Sequence, residues 1–106
     1  MLAYLPEEQA ERVIGDRPLK AYTGCTITDP QALRRHLEEI RQSGYAVDNM
    51  EHEYGIRCVA VPVFGSAGRV MAAVSVSGPS LRFDPETIVR DAQIISGILQ
   101  PLQLCL

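Results

Sequence analysis

The sequence predicts an α+β fold, an antiparallel sheet flanked by helices, and three observations carry that prediction. Residues 56 to 78 hold two runs of alternating β-branched and small residues joined by Gly-Ser-Ala-Gly, the pattern of a hairpin. Asp29-Pro30 and Asp84-Pro85 each open a stretch with apolar residues at helical spacing. The resulting order is helix, loop, helix, strand, hairpin, helix, which groups the strands and makes them antiparallel neighbours. With 46% hydrophobic residues among 106, the chain can support a core and is one domain or part of one.

Residues 1 to 5 form an apolar run with no capping residue before it and read as the tail of a helix. Pro6 starts the next helix, because proline suits a first turn and Glu7 and Glu8 face the positive end of the dipole. Ala10, Val13 and Ile14 are its apolar stripe. Gly15, Pro18 and Gly24, set among polar turn formers, make residues 15 to 29 a long irregular connection. Asp29 then caps a helix in which Leu33, Leu37 and Ile40 repeat at i, i+4 and i+7. Arg34, Arg35, Glu38, Glu39 and Arg41 form its solvated side, where His36 is also placed, and Ser43-Gly44 ends it. Tyr45-Ala46-Val47 is a short strand, and Asp48 to Tyr54 a polar loop leading to Gly55 and the hairpin. Gly78-Pro79-Ser80 is expected to break the second hairpin strand. Beyond Asp84-Pro85, Ile88, Ala92, Ile95, Leu99 and Leu102 mark one face of a closing helix that Pro101 kinks or ends.

The hairpin has two unlike faces. Val59, Val61 and Val63 share one side of the first strand, with Val74 and Val76 continuing it on the second. Cys58, Ala60 and Pro62, with Ala73, Ser75 and Ser77, make up the other. A turn centred on Ser66 and Ala67, with Gly65 opposite Gly68, sets Cys58 across from Ser75. A sheet face open to water normally shows Lys, Glu, Gln or Thr. The small, weakly polar face predicts a cover, either a closely packed helix or a small enclosed ligand.

Composition excludes several functions for these residues. A net charge of -3 offers no basic footprint for nucleic acid. Cys25, Cys58 and Cys105 have no paired spacing and no Cys-x-x-Cys, so the expected compartment is the reducing cytoplasm, with no metal and no cofactor. The apolar opening of five residues is too short for a secretory segment or a membrane span.

Three strings carry a family resemblance. Residues 44 to 51 read Gly-Tyr-Ala-Val-Asp-Asn-Met-Glu, 55 to 63 read Gly-Ile-Arg-Cys-Val-Ala-Val-Pro-Val, and 73 to 79 read Ala-Val-Ser-Val-Ser-Gly-Pro. In this order and spacing they resemble the effector-binding domain of IclR-type transcriptional regulators, and the likeness extends over nearly the whole chain. It implies a fragment of a GAF-like sensor domain, residues 1–106, that binds a small metabolite and controls an N-terminal winged helix-turn-helix within a dimer or tetramer. It also implies that the winged helix-turn-helix and the first part of the sensor domain, with a Gly-Lys loop that helps hold the effector, are absent here, so that DNA is bound only through the missing part. The family's effector-binding roles fall on Asp48, Cys58, Ser75 and Ser77.

Hydroxyls, a thiol and backbone amides are neutral donors that can hold a small carboxylate without a buried Lys or Arg. Asp48 is expected to accept from a ligand hydroxyl or amide, or to orient a serine, while Ile56 and Met50 supply apolar wall. Arg57 is expected on the valine side or at the sheet edge. Two other readings use the same region. A catalytic one makes Cys58 the nucleophile, His52 its base and Asp48 the orienting acid, but a strand cysteine among aliphatics is normally inert, and no catalytic residue is assigned. A metal reading from Asp48, His52 and Cys58 has no recognised ligand spacing. A third class is a homo-oligomerisation module without effector, built on Leu102, Leu104 and Leu106 and on apolar surface left open by a missing domain half.

Overall fold

The computed structural model describes residues 1–15, 19–65 and 67–103. It is α+β, as the pattern predicts. A short 3₁₀ turn, Leu2–Tyr4, is followed by α1 (Glu7–Ile14), α2 (Pro30–Ser43), β1 (Ala46–Asn49), β2 (Ile56–Phe64), β3 (Val70–Pro79), a second 3₁₀ turn (Ser80–Arg82) and α3 (Pro85–Gln103). The three strands form one antiparallel sheet in the order β1-β2-β3, so β2 is central and β3 is an edge.

Local chemistry sets the helix ends. Asp29 accepts a hydrogen bond from the Gln31 amide at 3.2 Å, Pro30 occupies the first turn, and Gly44 closes α2 in the left-handed region at φ 85°. Asp84 accepts from the Thr87 amide at 2.8 Å and so caps α3. Pro6 is the N-cap of α1 rather than its first residue. Pro101 lies inside the last turns of α3 without ending it, because only the carbonyl one turn back loses its donor. β3 ends within the expected Gly78-Pro79-Ser80 break, running to Pro79 before Ser80 opens the second 3₁₀ turn. The strand pairs through both, and since β3 is an edge, proline there interrupts no further ladder.

The two faces of the sheet are packed by different elements. Val59, Val61 and Val63 join Phe83, Ile88, Ala92, Ile95 and Leu99 in a core between β2 and α3, with Val59 wholly buried. On the other side Ala3, Ile14 and Leu37 form a smaller core beneath the first turn, α1 and α2, and Tyr4 packs edge-on against Phe64 at 5.0 Å. Arg34 grips Glu11 with two hydrogen bonds, 2.9 and 2.7 Å, and Arg41 reaches the Ala3 carbonyl at 2.8 Å. These tie α2 to the segment before it.

Two expectations about burial fail on β3 and the helices. Val74 and Val76 lie on the valine face as the pleat requires, yet each is 39% exposed, since no described element covers the edge. Val13 and Leu102, placed on apolar stripes by spacing, are also exposed. The molecule is a slab, 39 × 37 × 18 Å. Its radius of gyration of 14.4 Å exceeds the value of about 13 Å for a compact chain of this length.

Candidate functional site

The register differs from the one the turn predicted. Gly65 donates to the Arg69 carbonyl and Gly68, at φ 75°, donates to the Gly65 carbonyl, so the connection is one residue longer than a two-residue loop. Ser66, on which the turn was centred, lies outside the described residues. A bulge then leaves Met71 without a partner, as Phe64 pairs with Val70 and Val63 with Ala72. Two single-residue offsets sum to a shift of two, which preserves every side chain's face. Cys58 therefore faces Ser77, not Ser75, and Ser75 faces Ala60.

That register lines up a polar row across the sheet. Asp48 of β1 stands opposite Cys58 of β2, which stands opposite Ser77 of β3. Cys58 Sγ and Ser77 Oγ are 2.9 Å apart, in hydrogen-bond contact. One row along, Ala46, Ala60 and Ser75 follow on the same face. The predicted residues Asp48, Cys58, Ser75 and Ser77 thus share one patch. Ile56 also points to this face, beyond the row, and is exposed. Met50 leaves the ladder at φ 55°, its carbonyl accepting from Thr23 Oγ1 at 2.6 Å.

Over Cys58 and Ala60 lies a cavity of about 340 Å³. Its roof is the first 3₁₀ turn and the Leu33–Leu37 stretch of α2, and Asp48 and Glu51 form a wall. The small-polar face is therefore covered by a helix at the β1 and β2 end and open along β3, where Ser75 and Ser77 are exposed. A larger concavity of about 560 Å³ beside Tyr4, Gln9 and Arg69 collects no comparable row of donors.

The wall is fixed by the connection at residues 19 to 28. Asp48 accepts the Glu51 amide at 2.9 Å, which turns the chain sharply after β1. Thr26 Oγ1 donates to the Glu51 carbonyl, and Tyr22 packs on His52 at 4.9 Å. Arg57 lies on the valine side, donating to Asn49 Oδ1 at 2.8 Å and to the Phe83 carbonyl at 3.1 Å.

This arrangement does not assemble the catalytic reading, since His52 stacks against Tyr22 rather than lining the cavity with Cys58. Among the described residues no group of three His, Cys, Asp or Glu is placed to hold a metal. Nor is any described helix long and apolar enough to cross a membrane.

Sequence reasoning missed His36 and Glu51, both on the cavity lining. The charge pattern places His36 with the solvated side of its helix. Its position between Leu33 and Leu37, in the series 33, 36, 37, 40, was the signal that it borders the apolar stripe.

Over residues 1–99 the chain matches the family described as bacterial transcriptional regulator IclR C-terminal, and it belongs to that family. It is 38% identical over 95 residues to the transcriptional repressor AllR of Klebsiella pneumoniae, 90% of this chain and 35% of that protein. The chain thus spans about a third of the length of that relative. The C-terminal domain of the Escherichia coli regulator KdgR superposes with a TM-score of 0.88 at 34% identity, covering 97% of this chain and 63% of that one. A double mutant of the inducer-binding domain of PobR from Acinetobacter, solved with 3-hydroxybenzoic acid, gives a TM-score of 0.77 at 31% identity, with 94% and 55% covered. The relatives are transcriptional regulators, not enzymes.

Proposed function

We propose that these residues are the effector-sensing part of a cytoplasmic IclR-type regulator, and that the cavity over Cys58 takes a small organic acid or a related metabolite. The observation that carries this reading is the Asp48–Cys58–Ser77 row, of which Asp48 and Cys58 line a partly covered cavity while Ser77 lies beyond its edge on β3. Serine hydroxyls and a thiol are neutral donors suited to an acid group, and PobR's homologous domain was solved with such an acid. Ser75 and Ser77 sit where the cover ends, so they meet the part of the ligand that extends toward β3. Ile56 and Met50, expected as apolar wall, are not among the residues lining this cavity.

The effector acts by binding one arrangement of subunits more tightly than another, which shifts operator affinity, and the operator shifts effector affinity by the same factor in return. Operator contact belongs to a helix-turn-helix outside these residues, because their net charge of -3 provides no surface for phosphates. The test is calorimetric titration of small organic acids, aromatic acids and sugar acids. Ser75→Ala with Ser77→Ala should weaken the best binder by about tenfold or more, the size expected for lost hydrogen bonds to a charged group, with little loss of folding. Unchanged affinity would remove the serines from the site.

A second reading, self-association, is favoured by β3. We infer that a second copy pairs with its edge. No charged residue occurs from Val70 to Pro79, whereas natural open edges normally carry Lys or another charge. A two-fold pairing centred on Ser75 would set Val74 against the partner's Val76 on one face and the small residues on the other. Leu104 and Leu106, the other expected contributors, lie outside the described residues.

A further inference from the structure

We propose that His36 is the specificity-determining residue of the cavity over Cys58, its imidazolium holding the carboxylate of a bound ligand. This rests on the reading of that cavity as a ligand site. Among the lining residues His36 is the one whose side chain can carry positive charge. The other charged side chains lining the cavity, Asp48 and Glu51, are acids, so His36 is the side chain that can offset their repulsion of an entering anion. Both acids are drawn into the turn after β1, Asp48 accepting the Glu51 amide at 2.9 Å and Glu51 accepting the Asn49 amide at 3.2 Å. His36 lines the same cavity from α2.

The helix presents the imidazole to the cavity. Leu37 is buried and Leu33 and Ile40 pack with it, which fixes the rotation of α2 and puts His36 on the cavity side of the stripe. The ring is little committed elsewhere. Its Nδ1 lies 3.8 Å from Glu39 Oε2, an ion-pair distance for the protonated ring but beyond hydrogen-bond range, and the Glu39 side chain is 77% exposed. No other partner for the ring is found among the described residues. The titratable groups around it are Glu39 on α2, Asp48 on β1, Glu51 in the following turn, Cys58 on β2 and the α-amino group of Met1. Protonated, the ring would give a ligand carboxylate a charge-assisted hydrogen bond, roughly twice as strong as a neutral one.

The experiment is a calorimetric titration of the 106-residue chain with pyruvate, glycolate and 3-hydroxybenzoate, each paired with its uncharged amide, at about pH 5.5 and about pH 7.2. For wild type, the acids should bind about three- to tenfold more tightly at the lower pH while the amides do not respond. His36→Gln should lose this pH response and bind the acids as weakly as wild type does at the higher pH, leaving the amides unchanged. His36→Lys should hold the acids at both pH values. An equal pH response in wild type and His36→Gln overturns the role of His36 alone. Failure of the acids and the amides alike to bind wild type overturns the ligand reading of the cavity, and this proposal with it.

Discussion

At the scale of single residues, the glycine at position 78 shows how tightly the valine face is fitted. Gly78 of β3 pairs with Arg57 of β2 and faces the same side as Val74 and Val76, toward α3. A methyl group there would overlap the Phe83 ring, which is buried in the core. Gly78→Ala should therefore cost about 1–3 kcal/mol, the usual penalty of overpacking, read as a lower urea midpoint with an unchanged slope. An unchanged midpoint would mean that the Phe83 ring moves aside freely. Sequence marked Gly78 only as a strand breaker. The ring it accommodates lies across a turn from it, and no local pattern reports that contact.

The elements owe much of their definition to carboxylates at their ends and junctions. Hydrogen bonding to the Arg34 guanidinium holds Glu11 below its ordinary pKa, and the Thr87 backbone amide does the same for Asp84. Each carboxylate takes up a proton less readily in the folded chain than in the unfolded one, so each contributes stability above the usual carboxylate range. That contribution is lost as pH falls from about 4 through the lowered values. Urea midpoints should decline over this acid range, and Glu11→Gln combined with Asp84→Asn should flatten the decline. An identical acid slope in the double variant would assign the loss to other groups. The Asp-Pro device made the starts of α2 and α3 legible. The partner of Glu11 was not, because Arg34 lies on another helix.

For the whole molecule, the open edge matters most. A slab with its edge valines 39% exposed and a ten-residue uncharged edge strand has surface that a second copy can cover. Light scattering should show the 106-residue chain self-associating, and Val76→Lys should shift it toward monomer by placing charge on the edge. A wild-type monomer at high micromolar concentration would reject pairing through β3.

The sequence by itself determined the class of fold, the helix starts, and the face on which Cys58, Ser75 and Ser77 lie. Each follows from a short-range rule: a cap beside its helix, or the two-residue period of a strand. Because the register error amounted to two residues, the face survived it. Only the tertiary structure decided that Cys58 meets Ser77, since the longer connection and the bulge at Met71 are set by packing around the hairpin end. It alone brought His36 and Glu51 to the cavity and left β3 uncovered. Those facts depend on how α2 lies across the sheet, a long-range arrangement to which neighbouring residues give no key.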